Sequence, residues 1–334
     1  MISDLPKSMQ AILQTGDGYA PTSTGPLIDN AADWLEFATV PLPDVGEGQA
    51  LIHIRRAAVN PSDIHFIKGE YGQPRLRGQV AGFEGCGDVV VGPKSLIGQR
   101  VAFVAGPGAW AEYVTVDAAT CIPLHPAISD NDATGQIVNP LTARAMMGMA
   151  ADAGDAVIIT AATSQLGKLM IAMGRDMGVK TIAVVRREVD LGADVMLNTQ
   201  SPDFIANAKA ALSVLKPRMM LDAVCEQASE TLFTLMPNRA RWVSYGKLSN
   251  DAPHLTQMGQ LIFLGKRIEG FWLTQWFRDT SPADKMAAIT DVQTRFADGR
   301  WTTDVAAELR LDQVVDGLAT AIRKPDGKTI IVVR

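Results

Sequence analysis

The sequence predicts an α/β protein of two domains, one largely β and the other a doubly wound parallel sheet. Three observations predict it. At roughly 150 residues per domain, a chain of 334 residues can fill about two domains, each with a full core. As far as Pro126, short β-like runs alternate with Gly and Pro turns, the texture of a β domain. Beyond it, short apolar runs are separated by helical patterns, which implies parallel strands flanked by helices.

Composition narrows the function classes. Hydrophobic residues make up 47% and charged residues 20%, with 29 Gly and 18 Pro, a folded profile that is neither disordered nor collagen-like. Acidic residues number 36 against 31 basic ones, a formal charge of -5, so the chain carries no basic footprint for nucleic acid or an anionic membrane. Small molecules or proteins are the expected partners. Cys86, Cys121 and Cys225 are far apart and form no CxxC pair, suggesting neither a disulfide framework nor a thiolate zinc site and fitting a reducing compartment. The opening MISDLPKSMQAIL lacks a secretory h-region and an Arg-rich presequence, and no stretch of membrane-spanning length is free of charge. A cytoplasmic location is expected.

In chain order, the β-like runs are ALIHIRRAAVN from Ala50, GCGDVVVG from Gly85, QRVAFVAG from Gln99 and WAEYVTV from Trp110. The parallel-sheet strands are then DAVIIT at Asp155, KTIAVVR at Lys180, DVMLN at Asp194, RMMLDAV at Arg218, RWVSYG at Arg241 and KRIEGFW at Lys266. From Leu273 a helix over Pro282 to Phe296, another over Leu311 to Ile322 and a final strand TIIVV are too little for a domain and are expected to fold back onto the β domain. The expected limits are 1–127 for the β-rich domain, completed by 273–334, and 128–272 for the parallel-sheet domain. There is no internal repeat and no low-complexity tract.

Chemistry first appears where strand Ala156 to Thr160 runs into AATSQLGKLMIAMGRDMG. Leu166, Leu169, Met170, Met173 and Met177 recur at helical spacing and are expected to pack on the sheet. Ala161, Ser164 and Gly167 occupy the three small-residue positions of a dinucleotide turn, with Ser at the middle one. Such a turn needs small residues because the backbone bends tightly, approaches the pyrophosphate and lets the helix sit close on the strand. A plain strand–turn–helix of small corners satisfies the same pattern. The next strand ends in Arg186 and Arg187, where NAD-binding proteins usually carry an acidic residue for the ribose hydroxyls. Guanidinium groups suit bidentate pairing with a phosphate, which points to the 2′-phosphate of NADP(H); two solvated surface arginines are the alternative. Only Glu188, Val189 and Asp190 then precede LGADVMLN, too few for the helix that normally joins two such parallel strands. Either the crossover is truncated or residues are missing there.

With these residues in view, the chain resembles the medium-chain dehydrogenase/reductase superfamily over nearly its whole length. It is most similar to the mitochondrial-type trans-2-enoyl thioester reductases, through AVNPSDIHFIKGEYG at Ala58, GFEGCGDVVVG at Gly82, GPGAWAEY at Gly106, NPLTA at Asn139, AATSQLG at Ala161, VSYGKL at Val243 and GFWLTQW at Gly270. The middle motifs are shared with quinone oxidoreductases. The resemblance implies a GroES-like β-rich catalytic domain plus a Rossmann doubly wound parallel-sheet domain that binds NADPH. Where the zinc enzymes of the superfamily place their Cys and His ligands, the corresponding residues are read as Pro61 and Phe83, neither a zinc ligand. The cysteine-rich structural zinc lobe is absent from the sequence, and His53, His65, His125 and His254 show no ligand spacing, so a metal-free enzyme is expected. An acceptor that is already polarised, such as a conjugated double bond, then fits better than an alcohol.

Reduction of an enoyl thioester needs hydride at the β-carbon and a proton at the α-carbon. Tyr71, in KGEYG, matches the family's catalytic tyrosine, and a phenol with an ordinary pKa of about 10 is a donor rather than a base at neutral pH. The resemblance further implies cofactor contacts at Asn139 and Thr142, at Ala161, Thr163, Ser164, Gln165, Leu166 and Gly167 of the turn, at Arg186 and Arg187, at Tyr245, Gly246, Lys247 and Leu248, at Phe271, Trp272, Leu273 and Thr274, and at Lys328. Asn60 and Trp276 match positions near the substrate. Asn139-Pro140 also reads as a helix N-cap followed by Pro. A quinone or small-enone oxidoreductase, and a non-catalytic NADPH-binding protein, are the competing readings. A homodimer is expected through KRIEGF, whose bare, apolar-flanked edge invites pairing.

Overall fold

The computed structural model describes residues 5–334. In chain order the elements are β1 (Ser8–Gln14), β2 (Leu35–Pro41), β3 (Gln49–Val59), α1 (Pro61–Ile67), β4 (Glu84–Val91), β5 (Arg100–Val104), β6 (Tyr113–Asp117), β7 (Ile122–Pro123), α2 (Asp130–Ala133), α3 (Val138–Ala153), β8 (Ala156–Ile159), α4 (Gln165–Met177), β9 (Lys180–Val185), β10 (Val195–Asn198), α5 (Phe204–Leu215), β11 (Met219–Asp222), α6 (Gln227–Leu235), β12 (Arg241–Ser244), α7 (Gly259–Phe263), β13 (Arg267–Gly270), α8 (Leu273–Asp279), α9 (Pro282–Ala297), β14 (Val305–Arg310), α10 (Val314–Ala321) and β15 (Lys328–Val332). They form two compact units, one comprising residues through Val138 with Gln293–Arg334, the other Asn139–Val292. The division thus falls later in the chain than the expected 127/128 and 272/273, and α8 with most of α9 belongs to the second unit.

The first unit is built on a seven-stranded sheet of order β14-β15-β3-β4-β5-β7, with β6 also on β3, and on a separate antiparallel pair, β1 with β2. In β3 the residues Ala50, Ile52 and Ile54 recur at the strand period of two, and all three enter the core with Ile12, Leu35, Phe103 and Trp110. Leu311, Val314, Leu318 and Ile331 share that core, so the C-terminal segment completes the first unit. β15 pairs antiparallel with β3, and β14 lies parallel to β15. The expected helix from Leu311 is divided, a 3-10 turn over Leu311–Gln313 leading into α10.

The second unit is a six-stranded parallel sheet of order β10-β9-β8-β11-β12-β13 with helical connections. β8 and β11 are buried at every residue, as expected of central strands covered on both faces. α4 packs through Leu169, Met170, Met173 and Gly174, while Leu166 is half-buried and Met177 is exposed in the last turn before the left-handed cap Gly178. Met177 therefore departs from the expected packing face. The link after Arg187, residues 188–194, is helix-free: β10 joins β9 in parallel, and the Asp194 carboxylate accepts from Thr181 N at 2.9 Å and pairs with Lys180. β10 is the sheet's edge strand. Among the described residues no helix is long and apolar enough to cross a membrane.

Candidate active site

In the second unit the predicted nucleotide residues gather at the carboxyl ends of β8, β9, β12 and β13, the edge where open parallel sheets receive ligands. Ala161 turns the chain out of β8 in the left-handed region, with φ 47°, where a glycine is the unstrained choice. Ser164 then caps α4, its Oγ accepting from Gly167 N at 3.1 Å, which accounts for a serine at the middle position of the motif. A Cβ on Gly167 would stand 2.6 Å from Ala162 O, so the helix lies on the turn as closely as a glycine allows. Thr163 and Leu166 are half-buried around this turn and Gln165 is buried. Arg186 and Arg187 follow β9 directly and are exposed.

Past β12, Tyr245 N and Leu248 N bind Asp222 O and Ala223 O, both at 2.9 Å, Gly246 approaches Ala223, and Lys247 is exposed. The Tyr245 hydroxyl is buried with no hydrogen-bond partner among the described residues, and burial, with Asp222 and Cys225 nearby, pushes its pKa up. It is a donor without an acceptor, as a site for a bound ligand would leave it. Past β13, Phe271 N binds Ser244 O at 2.8 Å, Trp272 carries Arg278 over its ring, and Leu273, Thr274 and Trp276 lie half-buried on α8. Asn139 and Thr142 sit in the first turns of α3. Because α3 begins at Val138, Asn139 is inside the helix rather than its N-cap. The Glu84 carboxylate takes the capping place instead, accepting from Ile137 N at 3.3 Å and Val138 N at 2.8 Å.

Sequence reasoning missed Asp222. This carboxylate is fully buried at the end of β11 and accepts from Thr160 Oγ1 at 2.6 Å, Trp242 Nε1 at 2.8 Å and Val224 N at 2.9 Å. It ties the ends of β8, β11 and β12 together at the sheet's carboxyl edge. An aspartate closing the apolar run MMLD was the available signal.

In the first unit, the Tyr71 ring packs on Phe66 and Phe83, with centroids 6.3 and 5.3 Å away. Phe83, at the position read against the zinc-ligand histidine, thus forms an aromatic wall for the tyrosine. Behind it lies a buried polar network. Asn60 donates from Nδ2 to Glu84 Oε1 at 2.9 Å and accepts from Lys328 Nζ, so both ends of its amide are engaged. Asn60 is 2% exposed and bridges Glu84 and Lys328 in this network. Lys328 is likewise buried, its ammonium on Asn60 and 3.8 Å from Glu84, and burial lowers its pKa against the pull of Glu84 and Asp63. Asp63 accepts from Asn60 N at 2.6 Å and Phe83 N at 2.8 Å; burial raises its carboxyl to about 7 even so. Pro61 opens α1 and is exposed. Among the described residues no group of three or more His, Cys, Asp or Glu side chains is placed to hold a metal ion. The three cysteines are free, and burial raises each thiol, Cys86 to about 12 and Cys121 and Cys225 to about 11, so none is a thiolate at neutral pH.

Comparison with known proteins agrees with this architecture. Residues 46–127 match the alcohol dehydrogenase GroES-like domain. The mitochondrial enoyl-[acyl-carrier-protein] reductase of Rattus norvegicus is 27% identical over 291 residues, 81% of this chain and 78% of that protein. A putative NADPH:quinone reductase from Mesorhizobium loti is 42% identical, with a TM-score of 0.93 over 98% of this chain and 99% of that one. The Etr1p/NADP/crotonyl-CoA complex superposes with a TM-score of 0.81 at 22% identity over 98% and 100% of the two chains, a likeness of fold. With a GroES-like domain, a Rossmann-like parallel sheet and a 42% identical relative matched end to end, the chain belongs to the medium-chain dehydrogenase/reductase superfamily, with similarity to both its enoyl reductases and its quinone reductases.

Proposed function

We propose that the protein uses NADPH to reduce the conjugated double bond of a trans-2-enoyl thioester. The observation that carries this reading is Tyr71, a phenol held against Phe66 and against Phe83, the residue read at the position of the metal enzymes' ligand histidine. The residues of the second unit fit a nicotinamide dinucleotide: the turn from Ala161 to Gly167 leaves no room for a side chain at Gly167, Ser164 sets the start of α4, and two exposed arginines follow β9. Backbone N–H groups at the α4 N-terminus would face the pyrophosphate and Arg186 and Arg187 the 2′-phosphate. Bound NADPH supplies the hydride. Tyr71 gives its hydroxyl proton to the substrate α-carbon and so discharges the enolate that develops once the β-carbon is reduced. The relatives named enoyl-[acyl-carrier-protein] reductase support the thioester as acceptor.

A second reading, reduction of a quinone, is favoured by the 42% identity to the putative NADPH:quinone reductase. Rates of NADPH oxidation measured side by side with crotonyl-CoA, a longer trans-2-enoyl-CoA and a quinone separate the two: the enoyl reading expects the thioesters to be turned over faster, and quinone turnover with inert thioesters overturns it. The acting unit is a homodimer in this reading. β13 is an edge strand, and Phe263, Ile262 and Ile268 beside or on it are 82%, 73% and 42% exposed, a surface suited to a second copy. Light scattering at micromolar concentration should report twice the chain mass.

A further inference from the structure

We propose that Glu70 is the positioning residue for the Tyr71 hydroxyl, clamping the loop that carries it to residues 23–27. The inference rests on the reading of Tyr71 as proton donor. Glu70 directly precedes Tyr71, yet its side chain points inward and is only 2% exposed. Its two oxygens gather donors from two segments. Oε1 accepts from Thr24 N at 2.9 Å and Thr24 Oγ1 at 3.0 Å and lies 3.1 Å from Lys68 Nζ. Oε2 accepts from Ser23 Oγ at 3.0 Å and lies 3.0 Å from His65 Nδ1. Lys68, itself buried, extends the clamp by donating to the Gly25 and Leu27 carbonyls. Two backbone bonds run alongside, Glu70 N to His65 O at 2.7 Å and Ala20 N to Gly69 O at 2.8 Å.

The physical reason for such a clamp lies in the loop that carries Tyr71. Phe66 and Phe83 give the ring apolar contact, and the backbone between Gly69 and Gly72, which sets where the ring and hydroxyl lie, is anchored through its Glu70 side chain. Burying a carboxylate in a loop is unfavourable unless it is fully bonded, and here it is bonded to Ser23 and Thr24 on one segment and to His65 and Lys68 on the stretch that leads into the tyrosine. Burial alone would raise the Glu70 carboxyl. The Thr24 N–H, Lys68, His65 and the Thr24 hydroxyl instead hold it down at about 2, so it stays ionised at every pH where the enzyme would work. With its oxygens engaged in this way, Glu70 reaches the chemistry only through Tyr71.

The test is a double-mutant cycle on enoyl thioester reduction, with wild type, Glu70→Gln, Tyr71→Phe and the double variant, and with NADPH affinity and melting temperature measured for each. Glu70→Gln keeps the shape and loses the charge that gathers Lys68 and His65. It should lower kcat about tenfold with NADPH affinity unchanged, the scale expected when a reacting group is displaced by a fraction of an ångström. In the Tyr71→Phe background the same substitution should have no further effect, because aiming a hydroxyl matters only when the hydroxyl is present. Thr24→Val removes one donor and leaves the carboxylate, so it gives a smaller loss with the same dependence on Tyr71 and carries the test if Glu70→Gln does not fold. Equal losses in both backgrounds, or no loss at all, overturn the role of Glu70 while leaving that of Tyr71 standing. If Tyr71→Phe alone leaves turnover intact, the donor role falls, and the positioning role with it.

Discussion

Gly167→Ala is a single added methyl whose effect can be worked from the structure. The new carbon would stand 2.6 Å from Ala162 O, 2.7 Å from Ala162 Cα and 2.8 Å from its carbonyl carbon. Ordinary contact is about 3.5–4.0 Å, so each approach is short by roughly 1 Å. All three atoms are backbone, and no rotamer change relieves them; α4 must lift from the turn. Overpacking of this kind destabilises by about 1–3 kcal/mol, which for a unit spanning residues 139–292 lowers the melting temperature by roughly 2–10 °C. The same lift draws Gly167 N from Ser164 Oγ and moves the α4 N-terminus from its place, so NADPH binding should weaken alongside stability. Gly148→Ala is the matched control. That glycine lies within α3, where a Cβ meets the Arg144 guanidinium, paired with Asp291, at an ordinary 3.4 Å, and the change should stabilise by roughly 0.5–1 kcal/mol without touching NADPH affinity. Thermal unfolding and calorimetric titration of both variants provide the measurement. A Gly167→Ala protein with wild-type melting and wild-type affinity would refute the close turn as the basis of the nucleotide site.

Two further outcomes are expected. Arg186→Ala should weaken NADPH binding by about 1.5–3 kcal/mol, the value of a charge-assisted bond, and leave NADH nearly unaffected; an equal loss for both nucleotides in titration calorimetry removes the 2′-phosphate assignment. Asp63 predicts a pH dependence of stability. Its folded pKa of about 7 lies above the ordinary carboxyl value of about 3.9, so its contribution is fully present below the lower value and is lost as pH rises through the upper one. Denaturation midpoints of wild type and Asp63→Asn compared between pH 4 and 8 should show that downward slope in the wild type alone, and parallel curves would contradict it.

The sheets were legible in the sequence because their strands are apolar runs between turn residues. Every expected strand from Ala50 to Lys266 appears at or within a few residues of its place. β1, β2, β7 and β14 were not legible. LEFATVP lacks a clean alternation, and VAAELR has the composition of a helix, becoming a strand only because β15 offers a parallel edge. In the site, the turn at Ala161, Ser164 and Gly167 was readable because backbone geometry dictates those residue types. Asn60, Glu84 and Lys328 were harder: they lie far apart in the chain, and a sequence does not reveal that Asn60 bridges the other two. Asp222 escaped for the same reason, since its donors come from Thr160, Val224 and Trp242 on three different stretches.

The central claim is that Tyr71 protonates a reduced enoyl thioester, and turnover of Tyr71→Phe on two acceptors tests it most directly. Phenylalanine keeps the ring on Phe66 and Phe83 and removes only the hydroxyl, so melting temperature and NADPH affinity should hold. General acid catalysis contributes roughly 100- to 10,000-fold, so enoyl thioester reduction should fall by about two orders of magnitude or more. Quinone reduction should fall much less, because the reduced quinone anion can take its proton from water. A Tyr71→Phe enzyme within a few-fold of wild type on the enoyl thioester, with a deuteride isotope effect showing that chemistry limits the rate, would mean that another group or a water supplies the proton and that Tyr71 is only part of the wall.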